Sequence, residues 1–185
     1  MKQLLSFFIL VLMMGTVSAQ NNQAKKDATA ANPQVEQPAY KKDPKMPAFN
    51  ILLTDSTWFT RDQVPVSKYD HTFIIYFSPD CGHCQHEATE IVKNMDSLKN
   101  AFFVFVAYKP LEDIKGFASY YKLDQFANVR VGRDPQYFIP SFFRVTRTPF
   151  VVLYNKQGLL EKVFDPEVTE VPEARDLIRL VYGGK

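Results

Sequence analysis

The sequence predicts an α/β sandwich built on a mixed central sheet, and three observations carry that prediction. "HTFIIYFS" (71–78) and "AFFVFVAY" (101–108) are continuous, β-rich apolar runs, the pattern of strands buried on both faces. Between them, Ala88, Ile91, Val92, Met95 and Leu98 recur at three- and four-residue steps, the period of an amphipathic helix. A further helical stretch follows the second run, and the chain then closes with a β-hairpin pattern and a last helix. Helix–strand crossovers make part of such a sheet parallel, whereas a hairpin adds an antiparallel edge.

Taken in order, "FNILLT" and "STWFT" read as two short strands around an Asp-Ser turn. The run at 71–78 is a central strand. The helix predicted over residues 82–100 keeps Glu87, Glu90, Lys93, Asp96 and Lys99 off its apolar stripe. The run at 101–108 is the second buried strand, and "LEDIKGFASYYKL" (111–123) reads as a helix. "FANVRVG" is read as a short strand, and "DPQYFIPSFF", interrupted by Pro140, as a short helix. "PFVVLYN" and "LLEKVF" flank a turn at Lys156, Gln157 and Gly158, and "EVPEARDLIRLVY" is a closing helix with Leu177, Ile178 and Val181 on one face.

With 185 residues, 46% of them apolar, the chain can bury one sizeable core, expected over residues 48–185. A net charge of +2, with the basic residues scattered, argues against a nucleic-acid partner. Residues 1–19 carry an early lysine, an apolar run over 4–14 and a small-residue ending at Ala19. That is the pattern of a cleavable secretory signal. An uncleaved anchor is the alternative, but a bilayer span needs about 20 residues. The expected location is therefore periplasmic or secreted, where disulfide chemistry is possible. Residues 20–47 are rich in Gln, Asn, Ala, Lys and Pro without an apolar period, and read as a flexible tether.

Both cysteines lie in "SPDCGHCQH" (78–86), at the passage from a buried strand into a helix. Cys81 and Cys84 are almost one turn apart and share a helix face. Unpaired first-turn N–H groups and the positive end of the helix dipole favour a thiolate at Cys81. A cysteine so placed ionises well below the ordinary value of about 8.5. The thiolate is the species that attacks a disulfide, and Cys84 is placed to resolve the mixed disulfide that forms. His83 between them adds positive character, and Gly82 leaves room for another polypeptide to approach. Competing readings fare worse. A purely structural bridge over so short a loop removes little unfolded-chain entropy. Covalent haem attachment requires a histidine where Gln85 stands. A metal site drawn from Cys81, His83, Cys84 and His86 would crowd its ligands into one turn.

"FIIYFSPDCGHCQHEATEIV" resembles the active-site strand and helix of the thioredoxin superfamily, most closely its TlpA/ResA-like secreted bacterial thiol–disulfide oxidoreductases. The Gly82-His83 dipeptide matches that of protein disulfide isomerases. The resemblance implies a thioredoxin-like three-layer α/β/α sandwich. It also implies that Thr148 and Pro149, in "RTPFVVLYNKQG", lie beside the reactive cysteines with Pro149 in cis. Glu87 matches an acidic position common in the TlpA-like branch; by itself it reads as a solvated first-turn carboxylate. Two departures stand out. Ile75 occupies the place of a buried acid that serves the second cysteine in many relatives, which leaves water, Glu87 or an unseen group for that task. Asp80 replaces the usual aromatic before Cys81, and a carboxylate there opposes thiolate formation.

The expectation is an exported thiol–disulfide oxidoreductase that reduces or isomerises disulfides in envelope proteins through the Cys81–Cys84 couple. Protein substrates carry the thiols or disulfides, and a redox partner, such as a membrane thiol carrier, recycles the couple. No metal or organic cofactor is required. The alternative is a binding or metal-handling module that uses the same fold without turnover.

Overall fold

The computed structural model describes residues 37–183. The expected signal at 1–19 and most of the expected tether lie outside the described residues.

Seven strands form one sheet. They are β1 (Asn50–Leu53), β2 (Trp58–Thr60), β3 (His71–Tyr76), β4 (Ala101–Ala107), β5 (Val129–Arg133), β6 (Phe150–Asn155) and β7 (Leu160–Phe164), in the order β2-β1-β5-β4-β3-β6-β7. β3, β4 and β5 run parallel, and β6, β7, β1 and β2 add antiparallel pairings on the two sides, so the sheet is mixed as the sequence predicts. The helices are α1 (Ala39–Lys42), α2 (Gly82–Lys93), α3 (Leu111–Tyr120), α4 (Phe138–Phe143) and α5 (Ala174–Gly183).

β3 and β4 are buried almost throughout because both faces of the sheet are covered. One face packs Phe73, Ile75, Phe77, Phe103 and Phe105 against α2, α3 and α5. The other packs Ile74, Phe102, Val104 and Val106 against α4 and residues 46–69. Phe73 and Phe103 stack across neighbouring strands with ring centroids 5.2 Å apart. Gly132 is needed where β5 meets β1: a Cβ there would sit 2.8 Å from the Leu52 carbonyl oxygen. Gly158, at φ +71°, turns the β6–β7 hairpin.

Three boundaries differ from the sequence reading. The helix predicted over 82–100 stops at Lys93, because the Asn94 side chain donates to the Glu90 carbonyl at 2.8 Å. A short 3-10 turn, Met95–Leu98, then buries both of its end residues. The last helix starts at Ala174, after Pro172, with the Asp176 carboxylate accepting from the Glu173 N–H at 3.1 Å. The packed domain also begins earlier than residue 48. The compact unit runs from Gln37. Met46 is 3% exposed and donates its N–H to the Gly158 carbonyl, the Leu160 N–H reaches the Pro44 carbonyl, and the Tyr40 ring lies 5.4 Å from that of Phe143. Two apolar anchors in a polar stretch set up no period, so composition alone could not show that this segment docks.

Candidate active site

The register of the sheet assembles the site. Tyr76, the last residue of β3, pairs with Phe150, the first of the antiparallel β6. The chain leaving β3 therefore meets the chain entering β6 at one end of the sheet. The first carries Cys81 and Cys84 into α2, and the second carries Thr148 and Pro149, whose peptide bond is cis. The Cys81 Sγ donates to the Thr148 carbonyl oxygen at 3.5 Å.

Cys81 is the N-cap of α2. Its backbone is extended, and its sulfur accepts the Cys84 N–H at 3.4 Å, as a serine or aspartate oxygen does at other helix starts. Half-burial alone pushes its pKa up. Hydrogen bonding from the Cys84 thiol, from Thr148 and from the Cys84 and His83 backbone N–H groups outweighs that, so the net shift is downward. His83 thus acts on the sulfur through its main chain, whereas its side chain is exposed and borders the site. Cys84 is only 2% exposed, and burial first, then its hydrogen bond to Cys81, pushes its pKa far up. Both cysteines are free thiols. One sulfur is accessible and acidic; the other lies behind it and stays protonated.

The sequence reading of Glu87 as a solvated carboxylate is corrected by the fold. Glu87 is 5% exposed and neither carboxylate oxygen has a hydrogen-bond partner. Burial, reinforced by the nearby Cys81 charge, raises its pKa to about 8. Buried and without a hydrogen-bond partner, the carboxyl group favours its neutral form at neutral pH. Glu87 lies three residues beyond Cys84, which puts the two on one side of α2. That spacing was visible in the sequence; the burial is a property of the folded helix, where Glu87 and residues 171–174 line one small cleft.

Asp80 is ionised and paired. Its carboxylate accepts the Ser78 hydroxyl and pairs with the Lys109 ammonium at 3.2 Å, and these partners hold its pKa below the usual range. Lys109, just past β4, carried no signal in the sequence. Gly82 is exposed, and a Cβ on it would meet nothing within 4 Å, so the fold itself does not demand glycine there. Ile75 is buried in the sheet core and supplies no proton-transfer group.

Beside the cysteines an open groove of about 510 Å³ is lined by His83, Arg147, Thr148 and residues 166–171. Arg147 pairs with Glu167 at 3.5 Å across its rim, and Val168 projects at 80% exposure. Among the described residues, no group of three or more His, Cys, Asp or Glu side chains is arranged to hold a metal ion.

No family model and no curated protein matches the chain. Solved structures do. A secreted Mycobacterium tuberculosis disulfide oxidoreductase described as homologous to Escherichia coli DsbE aligns with a TM-score of 0.61 at 18% identity, covering 74% of this chain and 96% of that one. The thioredoxin domain of a Bacteroides vulgatus thiol–disulfide oxidoreductase aligns at 0.59 and 14%, covering 75% and 94%. Peroxidoxin BcpB from Mycobacterium tuberculosis aligns at 0.62 and 14%, covering 76% and 96%. The fold is thioredoxin-like. Because the neighbours include both disulfide- and peroxide-directed proteins, the fold by itself does not choose the chemistry.

Proposed function

We propose that this protein is an exported thiol–disulfide oxidoreductase. The observation that carries the reading is the asymmetry of the pair: Cys81 caps a helix with its thiol acidified, and Cys84 is held protonated directly behind it. In the reducing direction the Cys81 thiolate attacks a substrate disulfide and forms a mixed disulfide, releasing one substrate sulfur as thiolate. Cys84 then gives up its proton and attacks the Cys81 sulfur, and the second substrate thiolate leaves as the Cys81–Cys84 bond closes. The oxidising direction reverses these steps. Glu87, one turn from Cys84 with its pKa raised to about 8, is the proton-exchanging group of the pair: its ionised form takes the Cys84 proton in the reducing direction, and its neutral form returns one in the oxidising direction. It takes the task that Ile75 cannot perform.

The groove along His83, Arg147 and Thr148 receives the substrate polypeptide. The N-terminal pattern and the secreted nature of one structural neighbour support export and substrates among envelope proteins. The proposed direction is reduction or isomerisation, with recycling by a thiol partner such as a membrane carrier. Reduction of insulin under a dithiol recycling system tests the reading: wild type turns over, and Cys81→Ser does not. Equal rates for the two proteins, or a couple as oxidising as about −120 mV against glutathione, would refute it.

A further inference from the structure

Cys81 has a flank that the groove does not use. Tyr76 of β3 lies level with Val106 of β4, and Val106 with Gly132 of β5. Two residues further along each chain come Ser78, Tyr108 and Asp134. The Asp134 N–H donates to the Ala107 carbonyl at 2.9 Å, so the row holds past the strand ends. The groove belongs to the β6–β7 side of the cysteine loop, and Tyr108 borders that loop from the β4–β5 side. Lys109 bridges the two, its ammonium 3.2 Å from the carboxylate of Asp80, the neighbour of Cys81. Two exposed tyrosines meet on this flank: Tyr108 and Tyr137 pack edge to face with ring centroids 5.0 Å apart. Tyr137 stands at φ +55°, a left-handed conformation that favours glycine. The buried Asp134 carboxylate braces its turn by accepting the Gln136 and Ile139 N–H groups at 3.2 and 2.7 Å. Arg133 lies against the Tyr108 ring, its guanidinium 5.7 Å from the centroid. Its Nε is shut off from solvent with no hydrogen-bond partner, and among the described residues no carboxylate pairs with it. Lys109 is engaged by Asp80, and Asp134 by the backbone. Arg133 is therefore a cation with unmet donors, and a carboxylate satisfies such donors in pairs.

We propose that Tyr108, Tyr137 and Arg133 form a docking surface for the second arm of a disulfide-bonded substrate, and that it selects a polypeptide with an acidic side chain a few residues from its cysteine. The proposal rests on the thiol–disulfide reading above. A substrate disulfide joins two chain segments, so two segments leave the reacting sulfurs. While one lies in the groove beside Thr148, the other crosses the strand ends towards the tyrosines. There its apolar side chains cover the exposed rings, and its carboxylate meets the Arg133 guanidinium. The aromatic pair supplies contact area at little cost in side-chain entropy, and the cation supplies the choice of partner. None of the three residues touches a reacting sulfur, so they act on substrate binding and leave the exchange at Cys81 as described.

The test compares two peptide disulfides that differ only in carrying glutamate or lysine three residues from one cysteine. The full chain reduces each at low salt, and kcat/KM is measured for both. These charges also act on the peptide disulfide itself, so the glutamate-to-lysine ratio of the wild type is referred to that of Arg133→Gln. The substitution should lower the ratio by about fivefold, the scale of a partly exposed ion pair, and the change should lie in KM. The ratio is read within one protein, so a smaller folded fraction in the variant cancels. Tyr137→Gly keeps the backbone conformation, because glycine accepts φ +55°, and removes the ring. It should raise KM for both peptides by about fivefold. An unchanged ratio in Arg133→Gln overturns the docking surface, and so does an unchanged KM in Tyr137→Gly. A wild type that reduces neither peptide in a Cys81-dependent way overturns the function and the surface together, whereas turnover indifferent to these substitutions overturns the surface alone.

Discussion

Cys84 and Glu87 stand one helical turn apart on the sheltered side of α2, 2% and 5% exposed, and neither Glu87 oxygen has a partner. A buried thiol and a buried, unsatisfied carboxyl group so placed are a proton donor and acceptor isolated from bulk water. Burial raises the pKa of each, so both are held in the protonated form.

This arrangement makes stability depend on pH. Glu87 has a folded-state pKa of about 8 against a reference of 4.5, so the folded chain holds a proton that the unfolded chain has lost between those values. The contribution of Glu87 to stability is therefore full below pH ~4.5, falls as pH rises through that window, and levels off above ~8. The loss is on the order of 5 kcal/mol over the whole window at 1.36 kcal/mol per unit. Urea titrations at pH 5 and pH 9 should show it, and Glu87→Gln should remove most of the difference.

Thiol reactivity should be strongly unequal. Brief iodoacetamide treatment of the reduced protein at pH 7 should label Cys81 and spare Cys84, since only the first is accessible and acidified. Peptide mass mapping reads the outcome. In Cys84→Ser the mixed disulfide with substrate should accumulate, because nothing remains to resolve it.

Lys109 should tune that reactivity. Lys109→Met frees the Asp80 carboxylate from its 3.2 Å ammonium partner, one residue before Cys81. The pH profile of Cys81 alkylation should move upward by a few tenths of a unit, a modest shift because the pair is solvent-exposed. Lys109→Arg should leave it in place.

Packing predictions separate two glycines and one aromatic. Gly132→Ala drives a methyl into the Leu52 carbonyl and should cost about 1–3 kcal/mol. Gly82→Ala, pointing into open space, should stay within about 0.5 kcal/mol. Phe73→Ala, removing a fully buried ring stacked on Phe103, should cost about 3–5 kcal/mol. Urea denaturation at a single pH compares all three.

Much of the fold was legible because its strongest elements announce themselves by period. The apolar runs at 71–78 and 101–108 are strands, and the stripe through Ala88 and Ile91 faces the core. The cysteine pair was legible from its place between strand and helix, and the closeness of Thr148 and Pro149 from the family resemblance. What stayed hidden depends on contacts between distant segments. Glu87 is buried in the fold, Asp80 is paired with Lys109 from beyond β4, and Tyr40 and Met46 dock on a surface made by α4 and the β6–β7 hairpin. No local pattern encodes any of these. The docked segment also shows why polar composition overestimates looseness: two side chains suffice to fasten a stretch with no repeat.

The pairing of Tyr76 with Phe150 has a bearing on the chemistry of the site. The amides of His83 and Cys84 are supplied by the nearest helical turn, whereas the Thr148 side chain that also lowers the Cys81 pKa comes from the segment leading into β6. The acidity of Cys81 therefore depends on the antiparallel β3–β6 register as well as on the start of α2.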